Sequence, residues 1–259
     1  MSHPSIMEQL RAATARRHGA VEALPFAMAL VAGALPAASY AGFVRAMLTI
    51  HAALEGELAR AAHPLLRAVW APELARLDLL EADARFWAGE PEIAEAQVQA
   101  QVLADKLRRR AAADPASLLG ALYVLVGSTL GGAVVRRHVV RAYGLRGAEG
   151  VAYLAGAGLK ARWRRFGERM DAALVEADAQ QAALAAADET FAGIGAVVAA
   201  LHPLGERAPA DPLAALNPEA GAHAIPGDLR EIEAALRAGA RSWADCPYYA
   251  MRYGERGER

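Results

Sequence analysis

Two stretches of the chain carry residue types that can do chemistry. Near the N-terminus, Ile6, Leu10, Thr14 and His18 recur every four residues, flanked by Ala13 and Val21. That period marks one face of a helix, so a mostly apolar stripe carries a histidine. A neutral imidazole can ligate a metal or shuttle a proton, and it can equally be a satisfied core residue. Arg11 lies seven residues before His18. The helical rise puts its guanidinium on the same face, about 10 Å away along the axis. An imidazole for a metal and a cation for a carboxylate, so separated, suit a metal-bearing ligand with acidic arms. The plainer reading of Arg11 is solvated surface.

The second stretch runs from Leu118 to Arg141 and has no charge before Arg136. Gly127, Gly131 and Gly132 fall about one turn apart, on roughly one helix face. Each glycine costs a helix about 1 kcal/mol relative to alanine. A helix carrying several on one face is expected to bring its backbone close to something. The uncharged run is long enough for a membrane span, and Gly127-x-x-x-Gly131 is a helix-pairing motif in lipid. Against a span, Gly, Ser and Thr crowd its second half, and the other helical segments are charged and amphipathic. A buried bundle helix fits better. Periodicity leaves open whether the glycines face another helix or a flat ligand. A third feature, Lys160, Arg162, Arg164 and Arg165, places cations at a helix start. There they oppose the helix dipole. They read either as a solvated face or as a rim that holds carboxylates.

The elements that must position these residues are helical. The 259 residues are 55% hydrophobic, enough for a substantial core. No run alternates as a strand would. Ser5-Ile6-Met7-Glu8 is a capping box, so the first helix starts after Ser5. A short helix over 26–32 ends near Gly33 and Pro36, and Ser39 or Tyr40 opens a long helix to about Ala62. Pro64 and Pro72 break the next stretch into shorter pieces, and Pro91 starts a helix that reaches Arg108, Arg109 and Arg110. Asp114-Pro115 opens the glycine-bearing helix, which ends by Gly144. A glycine-rich loop then leads to helices over 159–176 and 179–201. Pro and Gly punctuate the chain after His202, which divides it into a helical domain over 1–204 and an appendage over 205–259. The appendage carries a short helix over 228–243 and an aromatic, basic tail with Cys246.

Composition and motifs exclude several classes. A net charge of -1 points away from nucleic acid. One cysteine rules out an internal disulfide. The first residues lack a basic-then-apolar leader, so a cytoplasmic protein is expected. Di-iron bundles need Glu-x-x-His pairs, whereas His18/Glu22 and His51/Glu55 are four apart in the opposite order. Phosphate-loop, dinucleotide, nucleophile-elbow and zinc patterns are missing.

Leu10-Arg11-x-x-Thr14-x-x-x-His18-x-x-x-Glu22 resembles the proximal helix of heme oxygenases. The segment from Tyr123 through Gly127-Ser128-Thr129-Leu130-Gly131-Gly132 resembles their distal helix. Arg162-Trp163-Arg164-Arg165-Phe166-Gly167 is similar to their helix near the propionates. Order and spacing agree over about residues 5–201, and the likeness is nearest to the bacterial group that supplies biliverdin to bacteriophytochromes. The resemblance implies an all-α bundle with heme between the first helix and the glycine-bearing helix. It implies His18 as the iron ligand, and Gly127, Ser128, Gly131 and Gly132 as the wall on the reacting side. Thr14 and Tyr123 would join the heme pocket, and Arg11, Lys160, Arg162 and Arg165 would hold its carboxylates. Heme would be cofactor and substrate, cleaved with O2 and electrons from a ferredoxin or reductase to biliverdin, carbon monoxide and iron. A phytochrome is the implied recipient of the bilin, and no membrane is implied.

Two positions depart from the pattern. Many relatives have Asp where this chain has Ser128, a serine being expected in the bacteriophytochrome-associated group, and that group is expected to have Glu where this chain has Val126. A heme carrier or sensor on the same fold is therefore an alternative, and a non-heme bundle that docks a partner is another.

Overall fold

A computed structural model of the chain describes residues 4–155 and 158–201, except the side chain of Ala133. The expected helix over 228–243, the tail and Cys246 lie outside the described residues. The described part is all-α, as the periodicity predicts. Its helices are α1 (Ile6–Glu22), α2 (Pro25–Ala32), α3 (Ala37–Arg60), α4 (Pro64–Val69), α5 (Leu77–Phe86), α6 (Ala94–Ala113), α7 (Leu118–Tyr143), α8 (Leu159–Ala173) and α9 (Ala177–Ala200).

Local chemistry sets the ends. The Ser5 hydroxyl accepts from the Glu8 N–H and the Glu8 carboxylate from the Ser5 N–H, which completes the capping box. Gly33 and Gly144 close α2 and α7 in the left-handed region. Some boundaries move. Pro36 is the N-cap of α3, so that helix begins at Ala37 and buries Ser39 inside it. Pro91 lies ahead of α6, which begins at Ala94, because a short non-helical approach intervenes. Pro115 opens a 3-10 turn over Pro115–Ser117, and α7 proper starts at Leu118. α8 stops at Ala173, where Leu174 leaves helical angles.

The helix α9 is the hub, with α1, α6 and α7 packed around it, while α3 packs on α6 and α5. Among the described helices two are long and apolar enough to cross a membrane. The Pro115–Gly132 window, mostly α7, is 72% buried within the bundle, and the α9 window is 50% buried. The tightest seam is between α7 and α9. A Cβ on Gly120 would overlap the Ala183 carbonyl oxygen and lie 2.9 Å from the Ala187 backbone nitrogen. Only glycine lets the two backbones meet there.

By contrast, α1 and α7 both rest on α9 yet scarcely touch each other, and α8 packs on both. The first and central helices thus share α9 and α8 as neighbours without packing closely on each other.

Candidate functional site

On the α1 side, His18 is about a quarter exposed, and its Nδ1 lies 3.2 Å from Glu22 Oε2 one turn on. This sets a carboxylate beside one ring nitrogen. Histidines that ligate metals commonly have an acid at the second nitrogen. The Phe191 ring of α9 meets the imidazole edge-on, 5.6 Å between centroids, and steadies its plane. Arg11 is exposed. Thr14 is buried and donates its hydroxyl to the Leu10 carbonyl at 2.7 Å, so its polar group is satisfied within its own helix. Neighbouring Arg17 pairs with Asp188 of α9 at 2.7 Å and ties α1 down.

On the α7 side the three singled-out glycines do not share one role. At Gly131 an added Cβ meets none of the described residues within 4 Å, so its face is open among them. At Gly127 it would touch the edge of the Trp163 ring at 3.5 Å. At Gly132 it would press to 3.1 Å on the Leu154 carbonyl oxygen, which makes this glycine a packing residue. The single-face expectation is therefore corrected. Gly132 lies 100° around the helix from Gly131, enough to turn it toward the following loop. Ser128, three residues before Gly131, is exposed on the open side.

From α8, Trp163 stacks on buried Tyr123 at 5.5 Å and on Phe166 at 5.6 Å, which fixes this helix against α7. Lys160 and Arg165 are exposed and Arg162 is half-buried. The Arg162 Nη1 is buried and has no hydrogen-bond partner in the described chain. A buried guanidinium nitrogen without an acceptor is costly and calls for an anion.

Behind Ser128 lies a polar group that no motif flags. His51 and Glu55 of α3 are buried, and His51 Nδ1 is 2.7 Å from Glu55 Oε1. His51 Nε2 is 3.3 Å from the Tyr153 hydroxyl, which is itself 3.4 Å from Ser128 Oγ. Val126 lines a cavity of about 10 Å³ together with His51 and Glu55. This is no more room than one water needs. The backbone of the Tyr153 loop is held by α5. Buried Asp83 accepts from the Ala152 and Tyr153 N–H groups, both at 2.8 Å, and the Trp87 indole donates to the Gly150 carbonyl at 2.8 Å. Gly150 has φ +75° and would strike the Phe86 and Trp87 rings if it carried a Cβ. Burial raises the Asp83 carboxyl above its ordinary range, opposed by those two N–H donors. Burial also pushes the Tyr153 phenol up to about 12, with the Ser128 hydrogen bond pulling the other way.

The residues fit a flat, metal-bearing dianion. An imidazole on α1, an open glycine face on α7 and an orphaned guanidinium nitrogen on α8 are what it would need. Solved structures carry the same fold. Heme oxygenase-1 from the cyanobacterium Synechocystis sp. PCC 6803, solved in complex with heme, matches with a TM-score of 0.70 at 24% identity, covering 77% of this chain and 93% of that one. The heme oxygenase of Leptospira interrogans matches with a TM-score of 0.69 at 24% identity, covering 75% and 98%. In sequence, Heme oxygenase 1 of Synechocystis is 29% identical over 145 residues, 54% of this chain and 60% of that protein's length. The heme oxygenase family model matches residues 5–200. The chain belongs to the heme oxygenase family.

Proposed function

We propose that this protein is a heme oxygenase, cleaving heme to biliverdin, carbon monoxide and iron. One observation carries the reading. α1 and α7 both sit on α9 without packing on each other, with His18 on the first and the open face of Gly131 on the second. Heme supplies an iron that activates O2 and a ring that is itself oxidised. His18 would hold the iron, with Glu22 beside its other nitrogen. Arg162 would donate from its unpartnered nitrogen to a propionate, with exposed Arg11, Lys160 and Arg165 as further cations near the rim. Gly131 would let the porphyrin lie close to the α7 backbone, with Gly127 making room for the Trp163 ring edge beside it. An external ferredoxin or reductase would supply electrons, and a phytochrome would receive the bilin.

The test is direct. Hemin is added to the purified full-length protein, and then a ferredoxin reducing system in air. Decay of the Soret band with growth of biliverdin absorbance is expected. Stoichiometric binding without bilin contradicts the enzyme and leaves a heme carrier.

A further inference from the structure

The outer face of α6 leaves apolar side chains uncovered by the described bundle. Its inner face buries Ala96, Ala100, Leu103, Ala104 and Leu107, and the helix packs on α3 and α9. On the other side Ala94, Val98 and Val102 recur every four residues and are exposed, Val98 to 58% and Val102 to 44%. A single exposed valine is ordinary. Two on successive turns are less so, because valine is a poorer helix former than alanine or lysine and here recovers little of that cost by packing. Charges of opposite sign stand at the two ends of the strip. Exposed Glu92 and Glu95 mark the start of the helix, and exposed Arg108 and Arg109 its end. Of these, Arg108 already pairs with Asp105 at 2.7 Å.

The described chain stops at the start of this helix. A Cβ on Gly42 would lie 2.6 Å from Leu201 Cδ2 and 3.5 Å from Ile93 Cδ1, so the last described residue meets the N-cap of α6. The sequence beyond holds one segment of matching pattern. Asp228, with Glu231 three residues on, is a helix-start signature. Leu229, Ile232, Leu236 and Trp243 then mark one face, with the same spacing as Glu95, Val98, Val102 and Arg109 of α6. Its first half carries Asp228, Glu231 and Glu233 against Arg230, and its second half Arg237 and Arg241. We propose that the segment 228–243 of this same chain docks antiparallel on the outer face of α6. That direction brings its acidic start to Arg108 and Arg109 and its basic end to Glu92 and Glu95. Matching the two by helical rise sets Leu236 at Val102, Gly239 and Ala240 at Val98, and Trp243 at Glu95, with Cys246 beside Glu92. Reach is no obstacle. Residues 202–227 span on the order of 80 Å when extended, and α6, with 20 residues, is about 30 Å long. Because α1 and α8 do not pack closely on α6, the inference stands apart from the heme oxygenase reading.

Cys246 is the one cysteine of the chain, and it supplies the test. A disulfide needs Cα atoms within about 7 Å. In the full-length, heme-free protein, Glu92→Cys should close an intramolecular disulfide with Cys246 under mild oxidation, read as a faster-migrating monomer that reductant reverses. Arg109→Cys, at the far end of the same face, should close at least tenfold more slowly. Adding Val98→Asp and Val102→Asp to Glu92→Cys should slow closure at least tenfold, and circular dichroism should show the bundle still folded, since both positions are exposed. Leu236→Asp, which lies outside the described bundle, should slow closure as much and tests the contact from its other side. Equal closure from Glu92→Cys and Arg109→Cys overturns the docking, and faster closure from Arg109→Cys overturns its direction. Rates unmoved by both Leu236→Asp and the valine changes overturn the face. Disulfide-linked dimers in place of closed monomers assign the face to a second copy and overturn the proposal, as does failure of Glu92→Cys to close at all.

Discussion

The two halves of α7 use glycine for opposite ends. Gly120, in the first half, is filled against α9, and a methyl group there would collide with backbone. Gly131, in the second half, faces none of the described residues within 4 Å. A backbone collision cannot be relieved by a rotamer change, whereas an open glycine is a cost with no return inside the heme-free protein. Helix stability is given up at Gly131 without any described residue coming close, which is what the proposed heme site would require.

Substitutions can break or sharpen this contrast. Gly120→Ala should have the largest effect, a loss of about 3 kcal/mol or outright misfolding, read as a collapse of the urea midpoint. If Gly120→Ala melts like the parent, the α7–α9 seam is not as described. Gly131→Leu should leave the fold intact and weaken hemin binding tenfold or more, which is about 1.4 kcal/mol. Unchanged hemin affinity would place the ligand elsewhere. Gly131→Ala should stabilise the heme-free protein by about 1 kcal/mol, the ordinary gain of alanine over glycine in a helix. The same change thus has opposite signs at the two ends of one helix.

The smallest effect concerns the support behind the second half. The Tyr153 and Tyr143 phenols are pushed up to about 12, in both cases chiefly by burial. A group whose pKa is raised on folding holds its stabilising share below its ordinary value, here about 10. It loses that share as pH rises through the folded value. Stability should therefore fall between pH 10 and about pH 12, and Tyr153→Phe should make the fall shallower. Urea midpoints at both ends of that window check it.

Much of this was legible in the sequence. The capping box at Ser5, the left-handed glycines that end α2 and α7, and the uncharged run of α7 obey local rules, and the structure keeps them. The His18 helix and the glycine helix are also recognisable by spacing alone. Three things were not legible, for physical reasons. α5 is short and comes after two prolines, so its period never accumulates, yet it supplies Asp83 and the N-terminus that holds Glu55. Gly120 looks like any glycine in an apolar run, since its partner backbone is more than sixty residues away. Tyr153 lies in a glycine-rich loop with no periodicity, and its meeting with His51 spans 102 residues. The signal that could have raised it is His51 and Glu55 four apart inside an apolar helix, a buried acid–base pair in need of further partners. The Val126 departure also changes meaning. That side chain is buried beside His51 and Glu55, so a carboxylate already reaches its cavity from α3.

The central claim is that α1 and α7 enclose a porphyrin held by His18. An optical titration of hemin into the full-length protein and its His18→Ala variant tests it most directly. One equivalent should bind the parent with a sharp Soret band that is lost or displaced in His18→Ala. Identical spectra and affinities for the two proteins would contradict it.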